Sequence, residues 1–166
     1  MTEKNLRKEA YNIVMSFIKE TAIKQINYKE MTWRWKWVTE LASWKIMWID
    51  FRVVFYEMGH PCAYIKIPEE AETLRNILKI EWYDWIPCQT CHWWMTFGQR
   101  TTDNDSRWFS QWRWIGWDYG HYWDYVWRYD SDFSKEFLDE LRQWTTTDIL
   151  IEVVEQILSL KEWGYL

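Results

Sequence analysis

Tryptophan content is the feature that most constrains how this chain can fold. The 166 residues include 17 Trp and only 5 Gly, although Gly averages about 7% of the residues in proteins and Trp is ordinarily rare. A domain of this size cannot bury 17 indoles and also give every indole N–H a hydrogen-bond partner. Filling of the core therefore does not by itself explain the tryptophan content.

Two hypotheses account for the excess of Trp. The indoles can form an aromatic surface that stacks on sugars, on bases or on a protein partner. Alternatively, a reassigned or altered codon is read as Trp where a smaller residue once stood. The intact mass of protein made in its native host separates the two, because a mass that contains all 17 Trp removes the codon hypothesis.

Length indicates one domain that spans residues 1–166. The net charge of −5 argues against a general nucleic-acid binder, although one stretch between residues 100 and 128 carries four arginines among aromatic residues. The N-terminus is polar, and the sequence contains no run of about 18 apolar residues that could span a membrane. The three cysteines do not suggest a secreted disulfide scaffold. We therefore expect a reducing cytoplasm as the location.

The spacing of apolar residues predicts five helices and four strands. The predicted helices are 3–25, 29–46, 68–78, 132–144 and 147–161, and the predicted strands are 48–57, 62–67, 92–98 and 112–118. Within the second of these helices, Trp33, Trp35 and Trp37 alternate with basic residues in a way that would suit a strand better. The order predicts an α+β fold, in which an antiparallel sheet of about four strands carries the N-terminal and C-terminal helices on one side.

A pair of cysteines suggests a metal site. Cys88 and Cys91 have the C-x-x-C spacing that lets two thiolates reach one zinc ion. A complete site needs two more ligands, for which His92 and His121 are the candidates. The cofactor prediction is therefore zinc or another divalent metal, and the alternative is a pair of ordinary thiols on a loop. A thioredoxin-type redox role is disfavoured, because the residues after Cys91 look like a strand rather than a helix N-terminus.

A second group of polar residues follows the last predicted strand. Asp118, His121 and Asp124 recur at every third position there. Two carboxylates and an imidazole gathered at a strand end can bind a divalent metal or share a proton in catalysis. The alternative is a polar loop in which the Asp side chains cap turns and the imidazole is a hydrogen-bonded structural group.

The chain resembles a family of small, uncharacterised phage and bacterial proteins, and two motifs carry the resemblance. The motifs are His92-Trp93-Trp94-Met95-Thr96-Phe97 and Trp114-Ile115-Gly116-Trp117-Asp118-Tyr119-Gly120-His121-Tyr122-Trp123-Asp124-Tyr125. In that family they read roughly His-Gly-Gly-x-Thr-Phe/Tyr and Trp-x-Gly-Phe-Asp-x-Ala-His-x-Gly-Asp. Residues 62–68 are similar to a Gly-Tyr-Val-x-Val-Pro strand of the same family. The resemblance covers about residues 55–160.

The resemblance implies a set of site residues and also shows where this chain departs from the pattern. The implied site residues are His92, Thr96, Asp118, His121 and Asp124. Trp93, Trp94 and Trp123 stand where the family pattern has glycine, which permits a close backbone approach or a positive φ. Two indoles at 93 and 94 would block any pocket that needs such an approach.

The functional prediction is a small phage-type accessory protein that binds a host or phage macromolecule in the cytoplasm. A protein partner is favoured over nucleic acid, with Thr96, Trp93, Trp94 and Trp117 as contact residues. One alternative is a metal-dependent hydrolase, with His92 and His121 as ligands and with Asp118 or Asp124 as a ligand or general base. Another is carbohydrate or nucleic-acid binding through exposed Trp. The sequence has neither a Gly-rich phosphate-binding loop nor a G-x-S-x-G elbow.

Overall fold

A computed structural model describes most of the chain. The described residues are 3–28, 38–56, 59–80, 97–98, 114–121, 124 and 134–166. Their helices are α1 (Glu3–Glu20), α2 (Glu72–Ile80), α3 (Lys135–Glu140) and α4 (Thr146–Glu162). Their strands are β1 (Val38–Ile46), β2 (Ile49–Tyr56), β3 (Pro61–Lys66), β4 (Phe97–Gly98) and β5 (Trp114–Asp118).

The strands form one antiparallel five-stranded sheet in the order β1-β2-β3-β5-β4. Helices α1 and α4 contact each other, and α4 also contacts β1, β2 and β3. The α+β fold predicted from the sequence, with an antiparallel sheet and both terminal helices on one side, is therefore confirmed. No helix within the described ranges is long and apolar enough to cross a membrane.

The inner face of the sheet packs against α1 and α4. Most of its strand residues are apolar and buried, because alternate side chains of a strand point to the same face and most of this face is shielded from water. Phe17 of α1 stacks on Trp44 with ring centroids 4.2 Å apart, and it meets Phe51 edge-on at 6.3 Å. The other inner-face residues of the central strands are Val53, Phe55, Ala63, Ile65, Ile115 and Trp117.

The outer face of the sheet is the opposite surface, and it is more polar. Its residues are Ser43, Lys45, Asp50, Arg52, Val54, Tyr56, Cys62, Tyr64, Lys66, Trp114, Gly116 and Asp118. At Gly116 strands β3 and β5 approach closely: an added Cβ would lie 2.5 Å from the carbonyl oxygen of Ala63 and from the ring of Tyr64. Only glycine fits this position without movement of the backbone of β3.

Helix α4 is the central helix of the fold. It begins after Thr145, whose side chain and that of Asp148 form a reciprocal capping box. Every residue in 149–160 is buried, so this helix is covered on all sides. Among these residues, Glu155 accepts a hydrogen bond from the guanidinium of Arg7 at 3.1 Å. This contact ties α4 to the exposed side of α1.

The helix predicted for residues 29–46 is wrong over its second half, because residues 38–46 form strand β1. A β-bulge explains the error. The register with β2 shifts between Glu40 and Ala42, and the extra residue brings Leu41 and Ala42 to buried positions next to each other. With Val38 and Ile46, these residues imitate the spacing of an amphipathic helix. Residues 29–37 of the prediction lie outside the described residues.

Several other predicted ends differ from the structure by a few residues. The first helix ends at Glu20 rather than at 25, and the helix predicted for 132–144 is shortened to α3. Ser134 caps α3, because its side chain accepts a hydrogen bond from the Phe137 amide at 3.4 Å. The hairpin predicted from 48–57 and 62–67 is confirmed as β2 and β3. Of the strand predicted for 92–98, the structure describes only residues 97 and 98.

A two-residue turn joins β1 to β2 and holds both of its residues at positive φ. Met47 has φ 47° and Trp48 has φ 70°, the combination that a type I′ turn requires and that Asn-Gly satisfies best. A left-handed conformation costs an ordinary L-residue about 1–2 kcal/mol. Trp48 is also 87% exposed. The turn therefore carries a large aromatic residue where glycine would be more stable.

Candidate functional site

Asp118 lies at the end of β5, opposite Cys62 of β3. Its Oδ1 accepts a hydrogen bond from the amide of Gly120 at 3.0 Å, which closes a turn after the strand. The imidazole of His60 packs on this turn, since a Cβ on Gly120 would lie 3.0 Å from two atoms of that ring. Asp118 thus caps a turn, as the alternative interpretation of this loop expected.

Asp124 and His121 form a close pair in the same loop. Asp124 is 1% exposed. Its Oδ1 accepts a hydrogen bond from Nε1 of Trp144 at 2.7 Å, and its Oδ2 accepts one from the amide of His121 at 3.0 Å. Nδ1 of the His121 ring lies 3.6 Å from the same Oδ2. The carboxylate therefore anchors the backbone of His121, and it lies close to the partly exposed imidazole at a distance longer than a hydrogen bond.

The structure does not gather the predicted metal site among the residues that it describes. Within the described ranges, no group of three His, Cys, Asp or Glu side chains could hold a metal ion. Asp118 caps its turn, whereas Asp124 binds Trp144 and His121. The remaining predicted site residues, Cys88, Cys91, His92, Trp93, Trp94 and Thr96, lie outside the described residues. A metal site that includes them stays a prediction.

Trp117 is a core residue, and its assignment as a contact residue for a partner is corrected. It is 1% exposed on the inner face. Its Nε1 donates a hydrogen bond to the hydroxyl of Tyr119 at 2.8 Å, and this hydroxyl donates to Glu152 at 2.9 Å. Burial, and next the carboxylate of Glu152, raise the pKa of Tyr119 well above its ordinary value. The alternation of side chains along β5 could have predicted the burial of Trp117, because Trp117 lies on the same face of the strand as Ile115.

Cys62 is buried on the outer face in a small cluster with Val54, Tyr64 and Trp114. Burial raises the pKa of its thiol, and the negative charge of Asp118 raises it further. The thiol consequently stays protonated at neutral pH, although Nδ1 of His60 lies 3.6 Å from its sulfur. Since the thiolate is the reactive form, Cys62 is unsuited to nucleophilic catalysis.

A cavity on the outer face collects charged side chains from three neighbouring strands. Its volume is about 420 Å³, and its lining includes Ser43, Lys45, Asp50, Arg52, Lys66 and Trp114. The carboxylate of Asp50 lies between two amines, 3.5 Å from Nζ of Lys45 and 3.2 Å from Nζ of Lys66. The cavity therefore has three cationic side chains and one carboxylate, on a chain whose net charge is −5.

Arg52 adds an aromatic contact to this cavity. Its guanidinium lies 5.5 Å from the ring centroid of Trp114, within the range of a cation–π interaction. Its Nε is 3.8 Å from the carboxylate of Glu40. Trp114 is buried, so its ring forms a wall of the cavity rather than a free surface.

Trp48 stands beside this cavity at the tip of the β1–β2 hairpin. A second cavity, of about 320 Å³, is lined by Trp48, Glu69 and Glu70 and shares Asp50 and Lys66 with the first. The exposed indole thus adjoins the cationic cavity. Sequence reasoning missed this site, because the helix predicted for 29–46 removes Lys45 from the sheet, and strand β1 is what places it beside Asp50 and near Lys66.

Comparisons with known proteins do not add to this geometry. The chain matches no protein-family model, no curated protein and no solved structure. The resemblance to the phage and bacterial family accordingly stays a prediction from the motifs.

Proposed function

We propose that this chain is a small phage-type accessory protein that binds an anionic macromolecule in the cytoplasm through the outer face of its sheet. The observation that supports the proposal is the cavity onto which Lys45, Arg52 and Lys66 open from three adjacent strands. A local excess of positive charge on an acidic chain attracts an anion to that place and to few others.

The ion pairs of this cavity contribute little to the stability of the fold, so stability does not explain why these charges are gathered here. In the pair of Lys45 and Asp50, the side chains are 51% and 34% exposed. Exposed pairs of this kind typically contribute about 0–1 kcal/mol to stability. Moreover, Asp50 is shared between two lysines and Glu40 pairs with Arg52, so three cations face two carboxylates. An anionic ligand would complete the compensation of charge.

Neutralisation of the three cations tests the proposal. In the variant that combines Lys45→Gln, Arg52→Gln and Lys66→Gln, we expect affinity for labelled polyanions to fall by roughly tenfold or more, because each lost cation removes a salt-dependent contact. Fluorescence anisotropy with labelled polyglutamate, an oligonucleotide single strand and a duplex measures the change. The wild-type affinity for the bound polyanion should decrease as salt is added.

A control variant carries the same change of net charge elsewhere. Lys4, Lys8 and Lys19 are exposed on α1, and their replacement by Gln should leave binding almost unchanged. Failure of the wild type to bind any of the polyanions would contradict the proposal. Equal losses in the two triple variants would also contradict it, since they would show a response to overall charge alone.

A metal-dependent hydrolase is the second candidate, favoured by the pair of His121 and Asp124. The buried carboxylate lies 3.6 Å from Nδ1 of the imidazole, so a small shift would make the hydrogen bond by which carboxylates support metal-ligating histidines. If this is the function, purified protein should contain a bound divalent metal, and His121→Asn should lower the metal content measured by elemental analysis. Metal-free protein after loading with zinc or manganese would count against the hydrolase.

A further inference from the structure

The chemical character of the cavity distinguishes between kinds of anionic partner. The buried centres of protein–protein interfaces are depleted of Lys and Asp, whereas interfaces with nucleic acid are polar and positively charged. Here Lys45, Asp50, Arg52 and Lys66 all line one cavity. The outer face therefore suits a nucleic-acid backbone better than the apolar anchor of a protein partner.

Trp48 supplies the second observation. It is 87% exposed and has φ 70°. Burial of the indole therefore adds no stability to the fold, and the backbone of this residue is strained. Strained residues with no stabilising role often belong to binding sites. A flat indole open to solvent, next to cations, is the combination by which proteins bind single strands, because unpaired bases stack on the ring while cations hold the phosphates.

We propose that single-stranded nucleic acid binds the outer face, with phosphate held by Lys45, Arg52 and Lys66 and an unpaired base stacked on Trp48. This inference rests on the proposed function and names its ligand. A duplex does not fit the same role, because its bases are already stacked and paired and cannot cover the indole.

The carboxylates around Trp48 restrict the path that a bound nucleic-acid strand can take. Glu69 and Glu70 line the same cavity as Trp48, where they repel phosphate and can accept hydrogen bonds from the amino groups of bases. Lys66 lines both cavities, whereas Lys45 and Arg52 line the neighbouring one. The backbone of a bound strand is therefore expected to run across the cations, with its bases directed towards the hairpin tip.

The experiment compares variants of the two turn residues, with a labelled oligothymidylate strand as the probe. Trp48→Gly should raise the urea midpoint of unfolding, because glycine adopts the positive φ without strain, and should weaken binding of the strand by about tenfold or more, because stacking is lost. Met47→Gly is the matched control, since it relieves the neighbouring positive φ and keeps the indole. Its affinity should equal that of the wild type, and Trp48→Tyr should restore most of the binding.

The outcomes separate this inference from the proposed function. Two results together support both the inference and the proposed function. The wild type should bind oligothymidylate much more tightly than duplex or polyglutamate, and Trp48→Gly should lose this binding. If polyglutamate or duplex binds as tightly as the single strand, or if Trp48→Gly binds the strand like the wild type, the inference is overturned while the anion-binding proposal stands. If no polyanion binds, both fail.

Discussion

Trp117→Ala is expected to destabilise the protein by about 3–5 kcal/mol, the usual cost of removing a large aromatic side chain from a packed core. Trp117 is 1% exposed and lies on the inner face between the sheet and the helices. Its removal would leave a cavity and would deprive the Tyr119 hydroxyl of the indole N–H that binds it. Urea denaturation followed by circular dichroism measures the loss.

The matched control for this prediction is a tryptophan that faces water. Trp48→Ala removes the same side chain at a position that is 87% exposed, so it should change the free energy of unfolding by less than about 1 kcal/mol. A similar small effect of Trp117→Ala would contradict the placement of Trp117 in the core and would make it a candidate contact residue again.

Asp124→Ala is expected to cost about 3 kcal/mol, because the change leaves buried donors without their acceptor. The carboxylate accepts hydrogen bonds from Nε1 of Trp144 at 2.7 Å and from the amide of His121 at 3.0 Å. Asp124→Asn should cost less, since the amide oxygen can still accept one of the two. Thermal unfolding of the wild type and both variants measures these differences.

An exposed aspartate provides the comparison. Asp139 lies on the exposed surface of α3, and Asp139→Ala should change stability by at most about 0.5 kcal/mol. If Asp124→Ala proved as mild as this control, Asp124 would not be the buried anchor of the loop after β5. Its close approach to His121 would then need a catalytic rather than a structural explanation.

Alternation along the chain predicted the central hairpin because both of its strands are regular. In β2, Phe51, Val53 and Phe55 face inward, and the residues between them face outward, which is the period of two that marks a half-buried strand. The same reasoning failed for strand β1, because the bulge at Leu41 interrupts the alternation of inward and outward side chains. A single inserted residue changed the apparent period from that of a strand to that of a helix.

The site was only partly predictable, for a related reason. Asp118, His121 and Asp124 lie within seven residues of one another, so their common loop could be read from the sequence. The cationic cavity could not, although the hairpin that carries Arg52 and Lys66 was predicted. The helix predicted for 29–46 left Lys45 outside the sheet, and only the pairing of β1 with β2 brings it to the other two cations.

The described tryptophans bear on the two hypotheses for their number. Trp117 and Trp144 are buried, and each indole N–H has an acceptor, so these residues belong to an ordinary core. Trp48 is the opposite case, since it is exposed in a turn that favours glycine. It fits either a binding surface or a codon read as Trp, and the strand-binding experiment with Trp48→Gly separates these two possibilities.

The most direct test of binding through the outer face is a map of the contact surface. Backbone amide chemical shifts, recorded by NMR during titration with oligothymidylate, would identify the residues that the strand touches. The account predicts the largest shifts at residues 43–52, at Lys66 and at Trp114, with little change on α1. Shifts concentrated at residues 118–124, with the cavity of Lys45, Arg52 and Lys66 unaffected, would contradict it.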